Sequence, residues 1–178
     1  MAFENVLEAG QRAQRKLLIT VAEWTTVEGT TETEHREILG TRTEDSSIEF
    51  NPDMETMTDI RGITYTDVNK TEPTQSFDPF YILGGSELSN YMSRAALKND
   101  IDAYNQRFNI YIIAAYLMDG NSYYAVKHSA CSIMPQSMGG DSYTALPIEV
   151  HYSNDITEGA VDKLSDDFTF TPAVTVGG

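Results

Sequence analysis

Basic residues are scarce in this chain. Twelve Lys and Arg stand against 27 Asp and Glu in 178 residues, a formal net charge of -15. Phosphate backbones are held by cations that displace counterions, and a nucleic-acid reader carries a basic stripe. Tight DNA or RNA binding is therefore excluded. Long apolar runs are missing as well. The longest, Ile110 to Met118, falls well short of the ~20 residues a membrane helix needs. The opening MAFENVLEAG has neither a basic segment nor a long apolar core, so no secretory signal is expected. Cysteine occurs once, at Cys131, which rules out an internal disulfide. That suits a reducing compartment, and equally a fold that needs no staple at this length. Histidine is limited to His35, His128 and His151. No two sit at a metal-ligand spacing, and neither HExxH nor CxxC occurs.

Apolar and aromatic residues are well represented. With 40% hydrophobic and 10% aromatic residues, the chain has the means to bury a core and is not expected to be disordered. A domain of this size buries ~70% of its unfolded surface. The length predicts one domain with arms or long loops.

The charge is unevenly spread. Arg12, Arg15 and Lys16 form a small basic cluster near the start. Residues 28–59 are rich in Asp and Glu, interleaved with Thr, Ile and Phe and opposed only by Arg36 and Arg42. Interleaving suits strand faces better than a disordered tail. Frequent Thr and Tyr favour strands. Strands are predicted over 17–25, 59–68 and 144–153, with a short final one over 168–171. Residues 34–41 and 44–50 are predicted to pair around Gly40-Thr41-Arg42-Thr43. The strongest hairpin joins 107–118 to 122–134 through Asp119-Gly120-Asn121, which has turn chemistry. One helix is predicted over 86–98, capped by Ser86, with Leu88, Tyr91, Met92, Ala95 and Ala96 on one stripe. A second, short one is possible over 99–105. The stretch 69–85 contains Pro73 and Pro79, which oppose regular sheet, yet also Phe77, Phe80, Tyr81, Ile82 and Leu83. A loop this apolar must fold over its own core or dock on a partner.

The search for chemistry identifies no catalytic residue, no metal ligand set and no cofactor. His128 and Cys131 stand three positions apart, so regular strand alternation places them on opposite faces and predicts a buried structural cysteine. Asp100, Asp102, Asp166 and Asp167 read as solvated loop acids. Carboxylates are so numerous that a glycosidase-like pair can always be picked by chance. The Gly pairs lack the Lys-Ser/Thr of a phosphate cradle.

Two long segments carry a resemblance. Residues 58–85, TDIRGITYTDVNKTEPTQSFDPFYILGG, and residues 123–163, YYAVKHSACSIMPQSMGGDSYTALPIEVHYSNDITEGAVDK, are similar to major tail tube proteins of long-tailed bacteriophages. With the linking helix the likeness spans most of 17–171. It implies a mainly-β fold, a β-sandwich or half-barrel with one flanking helix, preceded by an arm over 1–16 and followed by a tail over 172–178. It implies hexameric rings stacked into a tube around a tape measure protein, with tail tip and terminator proteins as further partners. The tube would belong to a virion made in the bacterial host cytoplasm. DNA would pass through the lumen without specific binding, and six copies of so acidic a chain would repel it. Acidity also simply keeps a concentrated subunit soluble. Subunit contacts are expected at Arg12, Arg15 and Lys16 and at Phe77, Asp78, Pro79, Phe80 and Tyr81. Polar strand residues Ser47, Glu49, Glu149, His151 and Ser153 are candidates for the lumen. Two alternatives stand beside this reading. One is a tube subunit of another phage-like injection machine. The other is a monomeric carbohydrate-binding or hydrolytic β-sandwich, with Tyr111, Tyr116, Tyr123 and Tyr124 as sugar-stacking aromatics.

Overall fold

The computed structural model describes residues 1–43 and 45–173. Glu44, at the start of the predicted 44–50 arm, and residues 174–178 of the predicted tail lie outside the described residues. The elements run β1 (Glu4–Asn5), a 3-10 turn (Arg15–Leu17), β2 (Leu18–Glu28), β3 (Thr31–Ile38), β4 (Ile48–Glu49), β5 (Pro52–Thr58), β6 (Thr64–Thr71) and β7 (Thr74–Phe77). Then follow α1 (Glu87–Lys98), α2 (Ile101–Tyr104), β8 (Phe108–Asp119), β9 (Ser122–Pro135), β10 (Ile148–His151), β11 (Ile156–Val161) and β12 (Phe170–Pro172). The fold is mainly β, built on a large antiparallel sheet with one main helix.

That sheet runs β3-β2-β8-β9-β10-β7-β4 and folds back on itself at β9. The first part of β9 pairs with β8 and β11, and its last residues pair with β10. The change falls at Ala130, whose φ of 54° marks a bulge that bends the strand. Two layers then face each other. Ala22, Trp24, Phe108 and Ile110 from one layer share a core with Phe77, Ile133, Ile148 and Val150 from the other. Each fully buried large side chain contributes roughly 1.5–3 kcal/mol. Thr20 Oγ1 donates to Gln75 Oε1 across the layers at 3.1 Å.

Helix α1 closes one end of this core with Leu88, Met92 and Ala95. Ser86 caps it by accepting from the Ser89 amide at 3.1 Å. Glu37 of β3 accepts from the Ser86 hydroxyl (2.6 Å) and the Leu88 amide (3.0 Å). A carboxylate at a helix N-terminus also meets the positive end of its dipole. Asn99, in the left-handed region at φ 52°, ends the helix. On the opposite face of β2 and β8 the chain returns after β11 and buries Phe168 against Val21, Tyr111, Ile113 and Ala125.

Three sequence expectations are corrected here. Residues 34–41 and 44–50 do not pair with each other: β3 pairs with β2, and β4 pairs with β7. The predicted strand 59–68 is the turn and the beginning of the second arm, β6, of a hairpin whose first arm, β5, the sequence reading missed. The predicted 69–85 loop contains the end of β6 and the whole of β7, a central strand between β10 and β4.

Candidate assembly surfaces

Phe77 and Phe80, expected to contact neighbouring subunits, are 1% and 6% exposed and belong to the chain's own core. That assignment is withdrawn: of the two outcomes open to an apolar loop, this one folds inward. Asp78 is exposed, while Pro79 and Tyr81 are partly buried. Tyr81 stacks edge-on against Tyr143 at 6.3 Å.

The basic arm is tied to the body. β1 pairs with β8, and Phe3 packs edge-on against Tyr124 at 5.1 Å. The Arg15 guanidinium donates to the Ser46 carbonyl at 3.0 and 2.7 Å, so its fork is already engaged within the chain. Arg12 and Lys16 are exposed and form no ion pair among the described residues.

The lumen candidates divide. Register places Glu49, Thr74 and His151 in one row across β4, β7 and β10, and Ser76 and Glu149 in the next pair of rungs. The inner row between them is Ile48, Gln75 and Val150, so by alternation Glu49, Glu149 and His151 share the outward face. His151 Nε2 stands 3.9 Å from Glu149 Oε1. Ser47 is exposed just before β4. Ser153 does not join them: its hydroxyl donates to the Ser129 carbonyl, turned into the chain.

The most exposed structure is the β5–β6 hairpin, which pairs only with itself. Every residue of both strands is exposed. Its tip is fastened by Asp59, whose Oδ1 accepts from the amides of Arg61 and Ile63 at 2.8 and 2.9 Å. The Ile63 amide above all, helped by Arg61, holds the Asp59 carboxyl below its ordinary value against the opposing effect of desolvation. Gly62 supplies the positive φ of 79° that the turn needs. Asn51 anchors the base, donating to the Glu72 carbonyl and Thr74 Oγ1 at 3.1 Å each. Met54, Met57, Ile60, Ile63, Tyr65 and Val68 are all large, apolar and exposed, with Ile60 fully so at the tip. None was singled out from sequence. The signal available was the Asp59-to-Gly62 turn between two Thr-rich runs.

Elsewhere the polar groups hold the fold together. Glu23, 7% exposed, accepts from Arg36 Nε (2.6 Å), Asn109 Nδ2 (2.7 Å) and Tyr111 Oη (3.1 Å). Burial pushes its carboxyl up, but these hydrogen bonds and the Arg36 charge together hold it below the ordinary value. Arg36 in turn donates to the Phe168 carbonyl at 2.8 Å and lies 4.9 Å from that ring's centroid, clamping the returning chain. Tyr111, a sugar-stacking candidate, is buried at 2% exposure beneath Phe168. Burial first, then the Glu158 carboxylate, raises Tyr124 to about 12.

His128 and Cys131 both lie opposite inward-facing residues of β8, Ile110 and Phe108. The Ala130 bulge breaks the alternation that had put them on opposite faces. They still form no thiolate–imidazole pair. The Cys131 thiol donates to the His128 carbonyl at 3.5 Å, and His128 Nδ1 bonds the Ser153 carbonyl at 2.9 Å. Burial raises the thiol's pKa.

Among the described residues no group of three or more His, Cys, Asp or Glu is placed to hold a metal. No described helix is long and apolar enough to cross a membrane. No protein-family model matches the chain, and no curated protein matches it.

Proposed function

We propose that this chain is a structural subunit that polymerises with copies of itself, as the tube-forming protein of a long-tailed phage or phage-like particle. The observation that carries the reading is the β5–β6 hairpin. A two-stranded ribbon with no layer behind it is marginal in water, and six large apolar side chains at its surface mark a site of association. An arm of this kind fits a subunit that must grip its neighbours.

The sheet supports the same reading. Its order ends at β3 on one side and β4 on the other. Open edges of this sort invite strand pairing between chains, and a closed ring of subunits satisfies them as a closed barrel does. The acidic outward face of β4, β7 and β10, with Glu49 and Glu149, suits a lumen through which DNA slides without sticking. Subunit contacts then fall on the hairpin, with Arg12, Lys16, Asp78 and Tyr81 as secondary candidates. The tape measure, tail tip and terminator proteins are the partners this role requires, and the virion is its location.

The test is direct. The concentrated chain is imaged by negative-stain electron microscopy, beside a variant in which residues 54–68 are replaced by a short Gly-Ser turn. Rings or hollow tubes from the full chain, and none from the variant, support the proposal. A full chain that stays monomeric at every concentration overturns it.

A further inference from the structure

Two sets of groups on this surface lack partners, and they match. The first is one face of the hairpin. Glu55 stands directly opposite Asp67, and Met57 directly opposite Tyr65. Two residues apart along each strand, the four side chains share one face. Like charges directly across a ladder repel, and neither Glu55 nor Asp67 has a cation beside it among the described residues. The second set is the outer face of α1. Arg94 and Lys98, one turn apart, are exposed and form no ion pair among the described residues. Leu97 beside them is 75% exposed, and Ile101 at the start of α2 is 56% exposed. Cations are few in a chain of net charge -15; like Arg12 and Lys16 these two have no ion-pair partner among the described residues, and here they sit beside the exposed apolar Leu97 and Ile101.

We propose that this hairpin face docks on the α1 face of a second copy of the chain. Glu55 and Asp67 meet Arg94 and Lys98, while Met57 and Tyr65 cover Leu97 and Ile101. The spacings agree: cross-strand neighbours lie ~4.5–5.5 Å apart and helix neighbours at i and i+4 ~5–6 Å. The occupant is another copy because the acidic-apolar surface and its basic-apolar complement occur on the same chain, and within one chain the hairpin pairs only with itself. The inference rests on the polymerising role proposed above and names the contact that drives it.

Charge reversal tests it on the whole chain. Glu55→Lys with Asp67→Lys forms one variant, Arg94→Glu with Lys98→Glu a second, and all four changes together a third. The third restores the net charge of the starting chain. Pelleted polymer is measured at fixed concentration, and unfolding midpoints check that each variant folds. Each double reversal lowers the polymer yield at least tenfold, and the fourfold variant recovers most of it. Full polymer from either double reversal overturns the docking while leaving the tube reading intact. Double reversals that block polymer without rescue by the fourfold variant overturn the pairing. No polymer from the unmodified chain at any concentration overturns both. If a double reversal fails to fold, Glu55→Gln with Asp67→Asn replaces it. That variant is expected to lose polymer several-fold, and an unchanged yield overturns the docking.

Discussion

Two of the long antiparallel hairpins among the described residues, β8–β9 and β5–β6, have opposite fates. β8–β9 is buried on both faces, its Phe108 and Ile110 in one core and its Tyr111, Ile113 and Ala125 in the other. β5–β6 is exposed along its whole length. The first is held by everything around it, with β2, β11, β10 and β1 paired alongside. The second is held by its own ladder, a Thr58–Thr64 hydroxyl contact at 3.1 Å and the Asp59 turn. Strand pairing alone therefore does not decide what a hairpin contributes; the layers stacked on it do. Changes in β8–β9 are read in the stability of the single chain. Under the proposed assembly, changes in β5–β6 are expected to show in what the chain does with its copies.

The largest effect is expected at Phe108, which is fully buried. Phe108→Ala leaves a cavity between the two layers and costs about 3–5 kcal/mol, measured as a shift of the denaturant midpoint. An effect below about 1 kcal/mol would mean that β8 is not packed as described.

Next comes Glu23, which joins the β2–β8 layer to Arg36 and the returning chain. Glu23→Ala leaves the half-buried Arg36 guanidinium, Asn109 and the buried Tyr111 hydroxyl without their acceptor and costs about 2 kcal/mol. The same group sets an acid limit. Its folded pKa lies below the ordinary 4.5, so its contribution is complete above that value and is lost as pH falls through the lowered one. Unfolding midpoints measured from pH 6 down to pH 2 are expected to fall in that window, and more steeply for the unmodified chain than for Glu23→Gln.

A smaller effect is expected at Ser86. Ser86→Ala removes the cap of α1 and the hydroxyl that Glu37 accepts, and costs about 1 kcal/mol. Ser86→Asp retains an acceptor for the Ser89 amide but faces Glu37, so it is expected to recover only part of the loss.

The contrast between the hairpins also explains what the sequence made readable. A long apolar run, a turn of Asp119-Gly120-Asn121 and a second β-rich run predict β8–β9, because a buried strand must be apolar. Helix α1 was equally legible, since its stripe has a core to face. β5 was not, because alternation records burial and neither face of β5 is buried. Phe77 and Phe80 do not read as core from sequence because Pro73 and Pro79 conceal a short central strand, β7, that ends at Phe77 itself. The His128–Cys131 relation failed at a single residue, Ala130, whose backbone leaves the regular strand region. β3 pairs with β2 through the two-residue turn Gly29-Thr30, where Gly29 supplies a φ of 64°, a local hairpin signal that the attention to Gly40 passed over. On the outward face, alternation correctly grouped Glu149 with His151 but ran one step too far to Ser153, beyond the end of β10.

The smallest effect on the single chain is expected where the effect on assembly is greatest. Met57 and Tyr65 touch no core, so Met57→Ser combined with Tyr65→Ser should lower the unfolding free energy by less than about 1 kcal/mol, the range for an exposed cross-strand pair. The same variant is expected to lose most of its polymer, because the apolar half of the proposed contact is gone while Glu55 and Asp67 remain. Raising the salt concentration separates the two halves. Exposed charges are screened over ~8 Å at 0.15 M and ~3 Å at 1 M, whereas apolar burial is not weakened this way. Residual assembly of the Ser variant should therefore collapse at high salt, while the unmodified chain retains a fraction of its polymer. Equal salt sensitivity in both would show that Met57 and Tyr65 take no part in the contact.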